Sequence, residues 1–223
     1  MAVYTTIENP ELYFQTKLYS GSNSDLSVTF DGSENMQPDW CWLKKISASG
    51  DHIAYDSVRG TNRRLQPNAT DAEVNRSSDN DELKSFNTDG WTLGTYNSNI
   101  TGAGSSNVSW NWKAGTTGSG TTTGSGTGKA YSYSVSTTAG FSIVKYLGNG
   151  TAGHTIPHHL GVVPKMMVIK KLSGTGSWYV YSSVLGNNKA VYWNSTSAED
   201  TENTIWNQTT PSSSVMTLGN SNA

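Results

Sequence analysis

His154, His158 and His159 crowd into one short stretch, which makes a metal site the first chemistry to test. Their spacing matches no zinc pattern, no carboxylate or thiol accompanies them, and Pro157 makes the stretch a loop. Solvated or hydrogen-bonded histidines fit better, so neither metal nor cofactor is expected. Asp56, Asp71 and Glu73 could supply the two carboxylates of a glycoside hydrolase. They read more simply as loop acids, because the second copy of the repeat described below has Ser182 and Ser197 in place of the two aspartates. Asp79-Asn80-Asp81-Glu82 has calcium-type oxygens without the glycine and ligand spacing of an EF-hand loop. Gly128-Lys129 is followed by Ala130, and Thr123 stands where a phosphate loop needs its first glycine. No Ser/His/Asp or Cys/His set does better, so no catalytic residue and no enzyme is expected.

Aromatic side chains offer a different chemistry, because their faces stack on the apolar faces of sugars. Trp40, Trp42, Trp110 and Trp112 lie on apolar strand patterns and are expected in the core. Trp91, Tyr96, Trp178, Trp193 and Trp206 lie nearer loop ends and are the candidate glycan contacts. Leu12, Tyr13 and Phe14, with Val215 and Leu218, are the candidate assembly contacts.

These residues are positioned by a repeat. Shifting Pro38 to Glu73 by 126 residues lays it without a gap on Pro164 to Glu199, with about 14 of 36 positions identical. Each copy carries its own set of strand patterns, which points to two small domains in the 223 residues. Charged residues are 14% and the net charge is -2, which gives no footprint for nucleic acid or an anionic membrane. No apolar run reaches the roughly 20 residues that span a bilayer, and the N-terminus lacks a signal pattern, so a soluble, unexported protein is expected. Cys41 is a lone cysteine that reads as a small buried apolar residue.

Alternation at Leu26, Val28 and Phe30, apolar runs at 40–46 and 166–172, and the Gly, Asn and Ser turns between such segments predict an all-β fold. The expected layout is an arm at 1–11, a β-sandwich at 12–115, a flexible Gly/Ser/Thr-rich linker at 116–138 and a second β-sandwich at 139–223. Residues 68–85 are polar and are expected to form an exposed loop. Val108, Trp110 and Trp112 alternate with polar residues in the expected closing strand of the first unit. Its counterpart is missing from the second, so an open edge is expected beside Val215 to Leu218, to be filled by a continuation of the chain or by a neighbour's strand.

Several segments resemble a repeat family of virion proteins from marine bacteriophages of the cyanophage and pelagiphage type. They include Asn9 to Thr16, Gln37 to Trp40, Tyr55 to Gly60, Phe86 to Gly94, Trp110 to Gly115, Thr138 to Val144, His159 to Met166 and Val184 to Gly186. The resemblance implies concanavalin-like sandwiches in tail fibres and related appendages, and it brings no catalytic residues. The expected role is a non-enzymatic virion protein that meets host-surface glycans, with a capsid-attached decoration or head-fibre protein as the alternative. Its expected partners are other virion proteins and copies of itself, as a trimer in a fibre.

Overall fold

Short runs of β-branched and aromatic residues between Gly, Asn and Ser turns leave the chain little choice but strands. The computed structural model describes residues 7–220, so the first six residues of the expected arm and the last three residues lie outside the described part. The strands are β1 (Phe14–Ser20), β2 (Leu26–Val28), β3 (Trp40–Lys45), β4 (His52–Asp56), β5 (Arg63–Arg64), β6 (Val74–Asn75), β7 (Leu83–Phe86), β8 (Trp91–Leu93) and β9 (Ser106–Trp112). They continue as β10 (Thr116–Thr121), β11 (Thr123–Gly124), β12 (Ala130–Ser136), β13 (Phe141–Tyr146), β14 (His154–Pro157), β15 (Met166–Lys170), β16 (Trp178–Ser182), β17 (Lys189–Tyr192), β18 (Asp200–Thr201) and β19 (Val215–Leu218). Among the described residues helix is confined to a 3-10 turn at Pro10–Leu12 and one turn at Ser98–Thr101. No helix among the described residues is long and apolar enough to cross a membrane.

Two compact units form, one from Met1–Gln66 with Val74–Gly115, the other from Pro67–Glu73 with Thr116–Ala223. In the first, antiparallel sheets ordered β1-β9-β3-β4 and β2-β8-β7 contribute to a core that includes Tyr19, Cys41, Leu43, Ile53, Tyr55 and Trp91. In the second, the sheets are β10-β12-β13, β11-β14-β19 and β15-β16-β17-β18, and the core holds Ile156, Ile169, Tyr181, Ile205, Trp206 and Met216.

The repeat extends to the pairing. β3, β4, β5 and β6 begin at residues 40, 52, 63 and 74, and β15, β16, β17 and β18 begin 126 residues later at 166, 178, 189 and 200. Val28 faces Trp91 across β2 and β8, as Ile156 faces Met216 across β14 and β19. Gly94 and Gly219 occupy matching places: a Cβ there would lie 2.5 Å from the Asp81 carbonyl group and 1.7 Å from the Thr204 oxygen, respectively. Only glycine fits such a backbone approach.

Four expectations change. On β9 the buried side chains are Asn107, Ser109 and Asn111, each fully shielded, while Val108, Trp110 and Trp112 lie on the opposite face and are half-buried. Alternation reveals two faces but not which one meets the core. The polar side is satisfied internally: the Trp91 indole N–H donates to Asn111 Oδ1 at 3.1 Å, and Asn111 Nδ2 donates to Ser109 Oγ at 2.9 Å. β3 behaves likewise, with Cys41 and Leu43 inward and Trp40 and Trp42 on the other face.

The stretch expected as a flexible linker is strand instead. Gly118 and Gly120 of β10 face Tyr133 and Tyr131 of β12, and a Cβ on them would stand 2.5 and 2.8 Å from the respective phenol oxygens. The rings lie over the glycines, and β10 is ordered by its pairing with β12 although it stays largely exposed. Residues 68–85 are not one exposed loop, since they contain β6 and the start of β7, and Glu82 and Leu83 are buried. Their first part packs in the second unit, where Thr70 O accepts from Gly176 N at 2.9 Å and Ala69 O from Trp178 Nε1 at 3.2 Å. Finally, β9 pairs with β1 and β3 rather than β8, so the place for its counterpart is beside β15; among the described residues the edge beside Val215–Leu218 is open as expected, but it is the edge that β7 covers on β8.

Candidate functional site

The five candidate glycan aromatics do not converge. Trp91 and Trp206 are core residues: Trp91 shares the inward face of β8 with Leu93, and Trp206 packs among Ile205 and Tyr181, its indole donating to Lys189 O at 3.0 Å. Trp178 is buried and stacks on half-buried Trp193 at 5.8 Å. Tyr96 is 49% exposed, but the Arg76 guanidinium sits 3.5 Å from its ring centroid and covers one face. Of the assembly candidates, Leu218 is buried, Leu12 and Tyr13 are half-buried, and Phe14 packs on Trp112 at 4.8 Å.

Of the candidate acids, Asp56, Asp79, Asp81 and Glu82 are taken up by arginines. Asp56 is buried and paired with Arg59, and Arg76 bonds both oxygens of Asp81 at 2.8 Å while reaching Asp79 at 3.0 Å. Arg76 holds the Asp81 carboxyl below its usual range. Among the described residues, no group of three or more His, Cys, Asp or Glu is placed to hold a metal ion. The histidines turn to separate partners: His154 Nε2 meets Thr122 Oγ1 at 2.6 Å, His158 Nε2 meets Ser212 O at 3.2 Å, and His159 Nε2 meets Tyr131 OH at 3.2 Å. Burial pushes all three below the ordinary imidazole value.

Two aromatic surfaces do form. The first is the outer face of β1, β9 and β3, where Phe14 lies opposite Trp112 and Trp110 lies opposite Trp42, with 6.3 Å between the last two ring centroids. Trp42 Nε1 donates to His52 Nδ1 at 2.9 Å, which anchors that indole. Leu18, on the same face, is 68% exposed.

The second is an open groove of about 520 Å³ in the other unit, lined by Tyr131, His159, Pro157 and Val215, with Thr121 and Thr123 along one stretch of chain and Ser213 and Ser214 along another. Tyr131 and Tyr133 point the same way because they are two residues apart on β12. His159 stacks on Tyr133 at 3.7 Å and on Tyr131 at 5.6 Å. Its φ of 59° is unusual for a residue with a Cβ, and a latch accompanies it: His158 N donates to Ser214 O at 3.1 Å, and Leu160 N to His158 Nδ1 at 3.2 Å. No Asp, Glu, Lys or Arg lines the groove. It can therefore take an uncharged ligand by ring contact and hydroxyl hydrogen bonds, and it offers no strong acid–base pair.

Of the candidate glycan and assembly residues Val215 alone lines this groove, and His159, weighed in the sequence as a metal ligand, lines it as well. Tyr131 and Tyr133 escaped notice inside the supposed linker, although their i, i+2 spacing after alternating glycines was the available signal.

Residues 9–223 match the model of a family described as a domain of unknown function, DUF7483, and the chain belongs to that family. No curated protein and no solved structure matches the chain.

Proposed function

We propose that this chain is a non-enzymatic structural protein of a bacteriophage virion, a tail-fibre or appendage component whose two tandem concanavalin-like β-sandwich units recognise glycans on the host surface. The observation that carries the reading is the aromatic outer face of β1, β9 and β3. Its sheet already closes a core with its other side, yet it places Phe14, Trp40, Trp42, Trp110 and Trp112 together on this one. Large aromatics gathered on the face away from a core suit association, and they do not by themselves supply catalysis. The motif resemblance to marine phage virion proteins supplies the setting, and the layered antiparallel sheets support the sandwich architecture. The partners of this role are copies of the chain, three around a fibre axis, and other virion proteins; the role needs no cofactor, nucleic acid or membrane insertion.

The test is to locate the chain in a reconstruction of the particle that carries it. Density in a tail fibre or appendage is the expected result. Density on the capsid facets would replace this reading with a decoration protein, and absence from the particle would remove both.

A further inference from the structure

We propose that the groove between Tyr131 and Val215 is the glycan subsite, and that it takes a neutral pyranose sugar; the proposal rests on the host-glycan part of the function above.

Ring availability decides which residues bind. Tyr133 has His159 against its face at 3.7 Å and does not line the groove, so it acts as a buttress. Tyr131 and His159 do line it, and the contact between Tyr131 OH and His159 Nε2 at 3.2 Å fixes their mutual orientation. Together with Pro157 and Val215 they form an apolar floor suited to the C–H face of a pyranose. The exposed Thr121, Thr123, Ser213 and Ser214 present hydroxyls that can donate and accept, as sugar hydroxyls do; Thr123 Oγ1 already shares a bond with Thr155 Oγ1 at 2.8 Å and Ser214 Oγ with Ser212 Oγ at 3.1 Å, and each keeps a lone pair for a ligand. A purely apolar ligand would leave that rim unused.

Charge selects further. With no carboxylate, ammonium or guanidinium in the lining, an anionic sugar or a phosphate would leave water without gaining a counter-charge. His159 does not change this near neutral pH, because burial favours its uncharged form. The groove is also preformed: β12 is held by β10 and β13, and the His158 latch fixes the far side. A subsite of this kind binds a single sugar weakly and gains strength from repetition.

The test uses the whole chain and saturation-transfer NMR with titration. The probes are glucose, galactose, mannose and N-acetylglucosamine, their tetrasaccharides, sialyllactose as an anionic control and decaproline as a peptide control. At least one neutral sugar is expected to bind, with saturation strongest on its ring C–H protons. Tyr131→Ala should weaken that binding about tenfold, and Tyr131→Phe, which keeps the ring, no more than about threefold. Ser213→Ala should weaken it about twofold to threefold. Folding of each variant is checked by its proton spectrum, and Tyr131→Phe serves as the ring-retaining control if Tyr131→Ala fails to fold.

Absence of binding by every neutral sugar overturns the proposal, as does binding that a folded Tyr131→Ala leaves unchanged, or a groove that takes decaproline or sialyllactose instead. Sugar binding by a chain absent from the particle would sink the virion reading alone. A chain on the particle that binds no sugar would sink the groove and the glycan part of the function, and would leave the virion role standing.

Discussion

The two units build one strand pattern around different buried chemistry. In the first, the Tyr55 hydroxyl donates to Glu82, Arg64 pairs with the other carboxylate oxygen at 2.6 Å, and Glu82 N donates to Asn62 Oδ1 at 2.9 Å. In the second, Tyr181 takes the place of Tyr55 and Ala190 that of Arg64, both at the 126-residue offset. Ile205 takes the place of Glu82, since Gly219 N bonds its carbonyl as Gly94 N bonds that of Glu82. Trp206 closes against Tyr181, edge to face at 5.7 Å. The frame therefore accepts an ion pair or an apolar pair at the same spot, and what both copies keep is the strand register and the close glycine approach.

Sheet order differs too. β3 has neighbours on both sides, β4 and β9, whereas β15 has β16 alone and β13 has β12 alone among the described residues. β19 also lacks the neighbour that β7 gives β8; Pro211 stands at the place of Phe86, where it has no N–H for a ladder.

The largest expected effect lies in the ion pair. Glu82→Ala should cost about 3–5 kcal/mol by leaving Arg64 without its partner, while Arg64→Ala with Glu82→Ile, the second unit's own pair, should return to within about 1 kcal/mol of the native chain. Urea unfolding measures both, and a double variant no more stable than the single one would break the equivalence. Next come Gly94→Ala and Gly219→Ala, each expected to cost about 1–3 kcal/mol or more because backbone must move. A loss confined to one of them would show that the two approaches are not the same constraint.

Amide exchange should then separate the sheets, with the edge strand β15 exchanging about tenfold faster or more than its counterpart β3, which is flanked on both sides. Equal protection would mean that the edge of β15 is covered. The smallest effect concerns acid. Folded-state values for His154, His158 and His159 are depressed, so the stability they contribute is present above the ordinary imidazole value of 6.5 and is lost as pH falls below it. Glu82 runs the other way: burial raises it, so its contribution is present below 4.5 and is lost as pH rises through its folded value. Segment-resolved exchange between pH 7.5 and 5 should show the second unit loosening more than the first, where His52 is also depressed. The opposite order would count against the histidine assignment.

The repeat and most strand positions were legible because turn residues are local signals and a 126-residue offset shows when the chain is aligned with itself. Side-chain orientation was not. β9 carries alternation that fits either face, and only its position between β1 and β3 turns Asn107, Ser109 and Asn111 inward. β10 was missed because its order comes from Tyr131 and Tyr133 on another strand, which no composition window over Thr116 to Thr121 contains. The groove was hidden for the same reason, since its walls join residues 121, 159 and 215.

The exchange of Arg64 and Glu82 for Ala190 and Ile205 also constrains how one copy can turn into the other. Two substitutions are needed, and their order is not neutral. Losing the glutamate first strands a guanidinium that no ordinary pH discharges. Losing the arginine first leaves a carboxyl that burial already favours as the neutral acid, so a proton can silence it. The passable path between paralogous units therefore begins at the arginine, and its intermediate would be a domain that folds best in mild acid.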